Sequence, residues 1–392
     1  MQDHREISNL QELCMFSDLS PGSAFFLPNG VKIYNRLLRL LQKEYRKRGF
    51  QEVMTPTIAK KELWETSGHW YKYRENMLNM IHDGEIYSCK AMNCPLHCCI
   101  FKNKSHSYKE LPIRLADFGT LHRNEASGAL SGLTRVLSFH QDDAHIFCTR
   151  EQISTEIKDC LKFMADVYRV FGFKFEIRLS TRPEKYIGDL EVWNQAEDQL
   201  KSVLEEAGYK FEIEEQGGAF YGPKIDIKLA DAFDRKHQCA TIQLDFQLPH
   251  RFGLEYVDAL NQPQTPIMIH RAIYGSFERF FAILTEHYQG KWPFWLSPKQ
   301  VIVIPVAASF DEASKEMGKK LYKYNVEVDL SEDMFNKKVA RARTEGYNYI
   351  LVVGQKEVDN NTVSIRGREG KAVSMTIEEM LRKFGEEKRV IL

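Results

Sequence analysis

No charge of either sign prevails in this chain: 54 Lys and Arg balance 54 Asp and Glu over 392 residues. A chain-wide basic field of the kind that gathers nucleic acid is therefore excluded, and any such binding must come from local patches. No apolar run approaches the ~20 residues needed to cross a bilayer, so a membrane partner is not expected. The start, MQDHREISNL, lacks the apolar stretch of a secretory signal and is too acidic for a transit peptide. That fits a cytosolic protein, or one whose import signal was removed before this numbering. Internal repeats and low-complexity segments are missing too, so no repeat architecture is expected. The eight cysteines lack the spacing of a disulfide framework, and several sit in apolar runs. Buried thiols in a reducing compartment, with room for one metal ligand, are expected instead.

What is present is a globular composition, 43% hydrophobic and 12% aromatic, in a chain longer than one hydrophobic core usually supports. A large domain and a smaller one follow. The joint WPFWLSP, Trp292 to Pro298, marks the boundary, giving domains 1–296 and 297–392. After it, QVIVIPVA, helix 310–324, VEVDL, helix 335–345, YILVVG and a helix near 376–386 alternate as β-α-β-α-β. That order predicts a small α/β domain with a largely parallel sheet.

In the first domain, 31–48 has helical spacing behind an LPNG turn, and GFQEVMTPTI reads as a strand ending near Pro56. EIYSCK, NCPLHCCIFKN, IRLADFGTLHR and TRVLSFHQDDAHIF follow as strand, helix, strand and strand. The Gly/Ser-rich loop between the last two makes a β-hairpin with an extended tip. A helix at 150–171, then further strands including FYGPKIDIKL and CATIQLDF, complete an α+β pattern.

LSFHQDDAHIFC, Leu137 to Cys148, sets two acids between two histidines. If 135–147 is a strand, alternate side chains share a face, so Asp142 and Asp143 point apart and cannot form a paired-carboxylate acid/base device. Arg135, Phe139, Gln141, Asp143 and His145 line one face, more chemistry than a core strand needs. Arg123 and Glu125 share parity on the preceding strand and extend that surface. Arg can fork onto a phosphate and Glu can accept from an amine, though a surface ion pair has the same pattern.

For a metal, His145 has possible partners in Cys94 and His270. Cys94, His97 and Cys98 alternatively share one helix face at i, i+3, i+4, and buried thiols explain the same spacing. Three dispersed ligands with an open fourth position would suit a zinc that binds substrate. In HRAIYGSFERFFAILTEHY, His270 to Tyr288, Phe277, Phe280, Phe281 and Leu284 supply packing. Arg271 and Arg279 then lie either on a solvated face or against a polyphosphate.

Together these segments resemble class II aminoacyl-tRNA synthetases, specifically the threonyl-tRNA synthetases, over nearly the whole chain. RGFQEVMTPTI is similar to motif 1, RLADFGTLHRNEASGALSGLTRVLSFHQDDAHIF to motif 2 and GSFERFFAILTEHY to motif 3. TSGHW, AMNCPLH, STRPEKYIGD, FYGPKIDI, QCATIQLDF and MIHRAIYGS resemble further signatures of the family. The resemblance implies an antiparallel sheet flanked by helices, a homodimer through motif 1, and an α/β anticodon-binding domain. It implies threonine activation by ATP, then transfer to the 3′ end of tRNA(Thr).

Residue by residue, the resemblance gives Arg123 the α-phosphate, Arg279 the γ-phosphate and Arg135 a phosphate contact. Glu125 and Phe139 would take the adenine, and Gln238 and Gln243 other nucleotide or ribose groups. Cys94, His145 and His270 match zinc ligands, one Zn²⁺ per subunit, while Mg²⁺ accompanies ATP. Asp143 would hold the substrate ammonium, with Met92, Gln141 and Tyr221 shaping the pocket and His69 and Lys224 near the transfer centre. Glu357 and Arg366 match anticodon contacts. Departures are Leu137 and Ser138, where the family has arginine and glycine, and SEDMFNKKVARAR, Ser331 to Arg343. In that stretch Lys337, Lys338, Arg341 and Arg343 either meet tRNA phosphates or form a solvated helix face. By this resemblance the chain is expected to start at the catalytic domain, without the family's amino-terminal editing domain, as in fungal mitochondrial forms or experimental truncations. A mitochondrial matrix protein is expected, with the cytoplasm as alternative. The rival function is a non-catalytic, synthetase-like RNA-binding or regulatory protein.

Overall fold

The computed structural model describes residues 1–368 and 370–390. Its contacts divide into two compact units. One holds Leu40–Leu284 with Phe16–Ala24; the other holds Met1–Met15, Phe25–Arg39 and the described residues from Thr285 to 390. This division assigns amino-terminal segments to the unit that contains the carboxy-terminal chain, which the linear reading of the sequence did not anticipate.

The larger unit is built on an eight-stranded sheet: β1 (Gln51–Glu52), β2 (Ile113–Asp117), β3 (Asp143–Cys148), β4 (Phe175–Ser180), β5 (Phe211–Glu214), β6 (Lys224–Ala230), β7 (Lys236–Asp245) and β8 (Ile267–Ala272). The spatial order is β5-β4-β6-β7-β8-β3-β2-β1. The six central strands are antiparallel, and only the edge pairs β5/β4 and β1/β2 are parallel. Central β3 and β8 are buried along their whole length, as strands covered on both faces must be.

Helices cover both faces. Below lie α3 (Ile153–Phe171) and, beside it, α4 (Leu190–Glu206), with the α3 Tyr168 hydroxyl donating to Ile273 O at 2.7 Å. Above, α2 (Cys94–Lys102) starts with Pro95 in its first turn, where the missing N–H costs nothing. Its Cys98 and Phe101 pack with Leu115, Phe147 and Met268 of the sheet. Among the described residues no helix is long and apolar enough to cross a membrane, and all eight cysteines are free thiols, six of them buried.

Several elements differ from the sequence expectations. The LPNG segment is not a turn before the helix: α1 runs Pro28–Lys47, because proline's fixed φ suits a first helical turn. GFQEVMTPTI splits into β1 and a separate strand, Ile58–Lys60. IRLADFGTLHR breaks after Asp117, and TRVLSFHQDDAHIF breaks between His140 and Asp143. The pieces Thr120–His122 and Ser138–His140 pair as an antiparallel hairpin outside the main sheet.

In the second unit, β9 (Val301–Pro305), β10 (Val326–Val328), β11 (Tyr349–Val353), β12 (Thr362–Gly367) and β13 (Val373–Thr376) form a sheet of order β10-β9-β11-β12-β13. The first three are parallel, as the β-α-β-α-β alternation requires. The last two are antiparallel and were not anticipated, so the sheet is mixed. Val301, Val303, Leu351, Val363, Met380 and Phe384 fill its core.

Candidate functional site

Register across the antiparallel strands assembles the site. His145 of β3 stands opposite both Leu115 and His270; His270 stands opposite Gln243, and Gln243 opposite Lys224. One cross-strand row over five strands therefore carries two imidazoles, an amide and an ammonium on a single face. The next row along the strands, with Ala144, Arg271 and Ile242, faces the other way.

Arg271 lies in that opposite face, 1% exposed, its guanidinium 4.1 Å from the Tyr45 ring centroid, 4.2 Å from that of Phe50 and 4.8 Å from that of Phe163. It is neither on a solvated face nor in the cation-lined cavity described next, contrary to both readings of the sequence. The aromatic cage stabilises the desolvated cation.

Two cavities share Arg123, Gln141, Thr241 and Gln243. The first, about 330 Å³, is lined by Arg123, Glu125, Arg135, Phe139, Gln141, Lys224, Gln238, Gln243 and Arg279. The second, about 300 Å³, is lined by His69, Met92, Cys94, Asp143, His145, Tyr221 and His270 besides the shared residues. Every first-domain residue to which the resemblance gives an ATP, threonine, zinc or transfer role thus borders one or both.

The first cavity is cationic. Arg279 projects from α5 (Phe277–Tyr288), held by Nε donating to Thr134 O at 3.0 Å and Nη1 to Gln238 O at 2.9 Å. Burial, and then the positive charges of Arg123 and Arg135, pull its pKa below the ordinary arginine value. Such crowding is relieved by an anion. The Arg123 guanidinium lies 5.1 Å over the Phe139 ring, and its Nε donates to Ala91 O at 3.3 Å. Glu125 and Arg135 do form an ion pair, 2.8 Å, in the partly exposed loop that joins the hairpin strands. A pair of that kind contributes about 0–1 kcal/mol and is easily exchanged for other partners. Lys224 pairs with Asp226 at 2.8 Å, and Gln238 donates to the same carboxylate.

In the second cavity Cys94, His145 and His270 each offer one ligand atom, all within 4.8 Å of one another, and all three residues are buried. His145 Nε2 and His270 Nδ1 converge at 3.0 Å. The other nitrogen of each ring is already engaged: His270 Nε2 with Asp245 Oδ2 at 2.8 Å, His145 Nδ1 with His97 Nδ1 at 2.7 Å. One thiol and two oriented imidazoles that leave a fourth position open fit a substrate-binding zinc. Of the two ligand sets considered from sequence, the structure assembles this dispersed one, whereas Cys98 faces Met268 in the core at 3.9 Å.

Asp143 sits beside the trio, its carboxylate 3.8 Å from His145 Nε2 and held by Asn93 Nδ2 at 3.1 Å. The Tyr221 hydroxyl donates to Gln243 at 2.6 Å. His69 Nδ1 contacts Ser67 Oγ at 2.8 Å. Burial, followed by His270, Arg251 and Arg123, pulls the His69 pKa down to about 3, so the ring is neutral near pH 7.

His140 and Asp142 point away from these groups. Asp142 accepts from the backbone N–H groups of Ile273 (2.7 Å), Tyr274 (3.0 Å) and Gly275 (2.9 Å) and from the Tyr45 hydroxyl (2.8 Å). Burial pushes its pKa up to about 7, against the pull of those donors. Gly275, at φ +70°, could not carry a side chain, since a Cβ would lie 2.4 Å from Cys239 O. His140 holds Glu278 at 2.9 Å. These two side chains therefore fix the turn from β8 into α5, and with it Arg279.

Sequence reasoning missed Asn93, Asp245 and the role of His97. Parity along QLDF puts Asp245 on the face of Gln243, a signal that was available; the contact of His97 with His145 depends on how α2 lies over the sheet.

In the second unit Glu357, on the helix Gln355–Asn360, accepts from Gly354 N–H at 3.1 Å. Arg366 is half-buried on β12, with its Nε unpartnered. In the divergent stretch, Lys338 is neither solvated nor available to phosphate: it is 6% exposed and donates to Asp329 O at 3.2 Å. Lys337 pairs with Asp333 at 2.6 Å, Arg341 pairs with both Asp329 and Asp333 at 2.5 Å, and Arg343 is exposed.

An antiparallel sheet bearing a cavity lined by three arginines beside a second one lined by a thiol and imidazoles defines a class of protein, and the family matches name it. Residues 71–288 match the tRNA synthetase class II core domain (G, H, P, S and T), and 300–387 match an anticodon binding domain. The human cytoplasmic threonine–tRNA ligase 1 is 55% identical over 388 residues, covering 97% of this chain and 54% of its own length. The Arabidopsis thaliana mitochondrial threonine–tRNA ligase 1 is 52% identical over 386 residues, 97% of this chain and 54% of its own. The structure of the RNA binding domain of threonyl-tRNA synthetase from Cryptosporidium parvum superposes with a TM-score of 0.96 at 46% identity, covering 98% of both chains. The chain belongs to the threonyl-tRNA synthetase family, and it spans about half the length of the curated relatives it matches.

Proposed function

We propose that the chain is a threonine–tRNA ligase that forms threonyl-adenylate from threonine and ATP and transfers the threonyl group to the 3′ end of tRNA(Thr). The observation that carries this reading is the adjacency of the Cys94/His145/His270 trio and Asp143 to the Arg123/Arg279 cavity, with four residues common to both. An amino acid held in one and a triphosphate in the other would meet at Arg123, where the attacked α-phosphate belongs. Arg123 and Arg279 would offset the charge that develops in phosphoryl transfer. Glu125, released from Arg135, would accept from the adenine amine, with Phe139 against the base and Gln238 and Gln243 toward the ribose. Mg²⁺ would arrive with the ATP phosphates.

Cys94, His145 and His270 would hold zinc, which supplies a Lewis-acid template that reads an amine and a hydroxyl together. Asp143, fixed by Asn93, would take the threonine ammonium, and Met92, Gln141 and Tyr221 would bound its side chain. His69 and Lys224 would serve the transfer step; neutral His69, with Nδ1 turned to Ser67, keeps Nε2 to accept a proton. Residues 297–392 would form the anticodon-binding domain, with Glu357 and Arg366 toward the tRNA. Of the basic residues in the divergent stretch, Arg343 is the one left for phosphate, since Lys337, Lys338 and Arg341 are engaged within the unit. A homodimer through motif 1 is part of the same proposal, and the exposed edge strand β1 agrees with it.

The test is charging of threonine tRNA with labelled threonine by the zinc-loaded protein. Threonyl-tRNA accumulates if the reading is right; tRNA binding without charging supports the rival, a non-catalytic RNA-binding protein. Cytosolic and organellar tRNAs compared in that assay also address the compartment, for which the relatives include both cytoplasmic and mitochondrial proteins.

A further inference from the structure

The zinc reading above has a structural corollary that lies outside the ligand set. We infer that His97 is a positioning residue for the metal site: it accepts the proton of His145 Nδ1 and thereby fixes which nitrogen of His145 is free to ligate. The inference rests on the zinc reading and is tested so that the two can fail separately.

His97 is fully buried, 0% exposed, one helical turn beyond Cys94 on α2. Its Nδ1 lies 2.7 Å from His145 Nδ1, with the rings nearly perpendicular at 87°. Two ring nitrogens at that distance share one proton, so one donates and the other accepts. The choice between them follows from ligation. His145 Nε2 is the nitrogen that converges on His270, and a nitrogen giving its lone pair to a metal carries no proton. The proton of neutral His145 is then on Nδ1, and His97 Nδ1 accepts.

That assignment places the proton of His97 on its own Nε2. This atom is buried, has no hydrogen-bond partner, and faces Asp117 Oδ2 at 4.0 Å. The same carboxylate oxygen accepts from Thr55 N–H at 3.1 Å and Thr55 Oγ1 at 2.7 Å, with Lys90 Nζ at 3.5 Å. The outer support of His145 is thus an imidazole with a carboxylate behind it, whereas His270 is supported by a carboxylate directly, Asp245. Outer partners of this kind orient a ligand ring and raise its basicity. Because Cys94 and His97 are three residues apart on one helix, a single turn of α2 supplies one ligand and secures another.

The experiment titrates zinc alone into the metal-free full chain by chelator competition, and records the Co²⁺ absorption spectrum. His97→Phe removes the acceptor and is expected to weaken zinc about 10- to 100-fold and to shift the cobalt bands. His97→Asn places an amide oxygen near the position of Nδ1 and is expected to retain affinity close to the wild type. His97→Gln, whose amide lies near the position of Nε2, is expected to lose affinity as His97→Phe does. Melting of the metal-free forms separates folding from binding: should His97→Phe not fold, the Asn/Gln contrast decides. Equal zinc affinity and identical cobalt spectra in wild type, Phe and Gln variants overturn the role of His97 while leaving the zinc site intact. A wild-type protein that binds no zinc overturns both.

Discussion

Replacing Arg279 with alanine is expected to lower the threonine-dependent ATP–pyrophosphate exchange rate by about 10²- to 10³-fold, the cost of removing one preorganised charge from a developing oxyanion. Arg279 is set before any nucleotide arrives. Two backbone carbonyls, of Thr134 and Gln238, fix its guanidinium, and the turn that leads into its helix is tied down by Asp142. Little is therefore lost in ordering it, and its depressed pKa reflects burial first and the neighbouring Arg123 and Arg135 charges second. Arg279→Lys keeps the charge without the planar fork and should recover only part of the loss. Unchanged exchange kinetics in Arg279→Ala would remove this side chain from the phosphate site. The fall should appear in kcat for exchange more than in KM for threonine, because the amino-acid cavity does not include Arg279.

The second large effect concerns specificity. Cys94→Ser is expected to release the zinc and to lower the preference for threonine over valine, which share a shape but not a hydroxyl, by at least about 10²-fold. A site that reads a hydroxyl discriminates by roughly 10⁴–10⁵, whereas a pocket without that contact separates such isosteres by only about 10². Serine exchanges a thiolate for a hydroxyl, which stays protonated and is a poor zinc ligand. Metal analysis and threonine/valine exchange ratios measured on the same preparation decide the point. One equivalent of zinc retained by Cys94→Ser would rule out this ligand set. Serine is harder to exclude than valine, since it keeps the hydroxyl and lacks only a methyl group, worth about 1–3 kcal/mol.

Much of the site was legible in the residues because strand parity is a local property. Parity alone separated Asp143 and His145 from His140 and Asp142, although the strand presumed to be continuous is broken between His140 and Asp143. The division survived since the two pieces keep their facing on either side of the break. Parity could not say which strands lie side by side. The opposition of His145 to His270 and of Gln243 to Lys224 comes from register between segments up to 125 residues apart. Family resemblance joined those segments; spacing left the metal open between Cys94/His145/His270 and Cys94/His97/Cys98.

Elsewhere local signals misled. Arg271 and Lys338 carry full charges and read as surface or ligand-facing, yet both are buried, one under aromatic rings and the other on a backbone carbonyl. Charge on a long side chain shows that a partner is needed, not where it is. The antiparallel strands β12 and β13 were missed because NTVSIRG and VSMT are short and polar, and their pairing is supplied by β11.

The most direct test of the central claim is ATP–pyrophosphate exchange by the zinc-loaded chain with threonine, valine, serine and proline in parallel. The account predicts exchange with threonine, a weaker signal with serine, and valine and proline near background. Exchange that prefers serine or proline, or none with threonine, would contradict it.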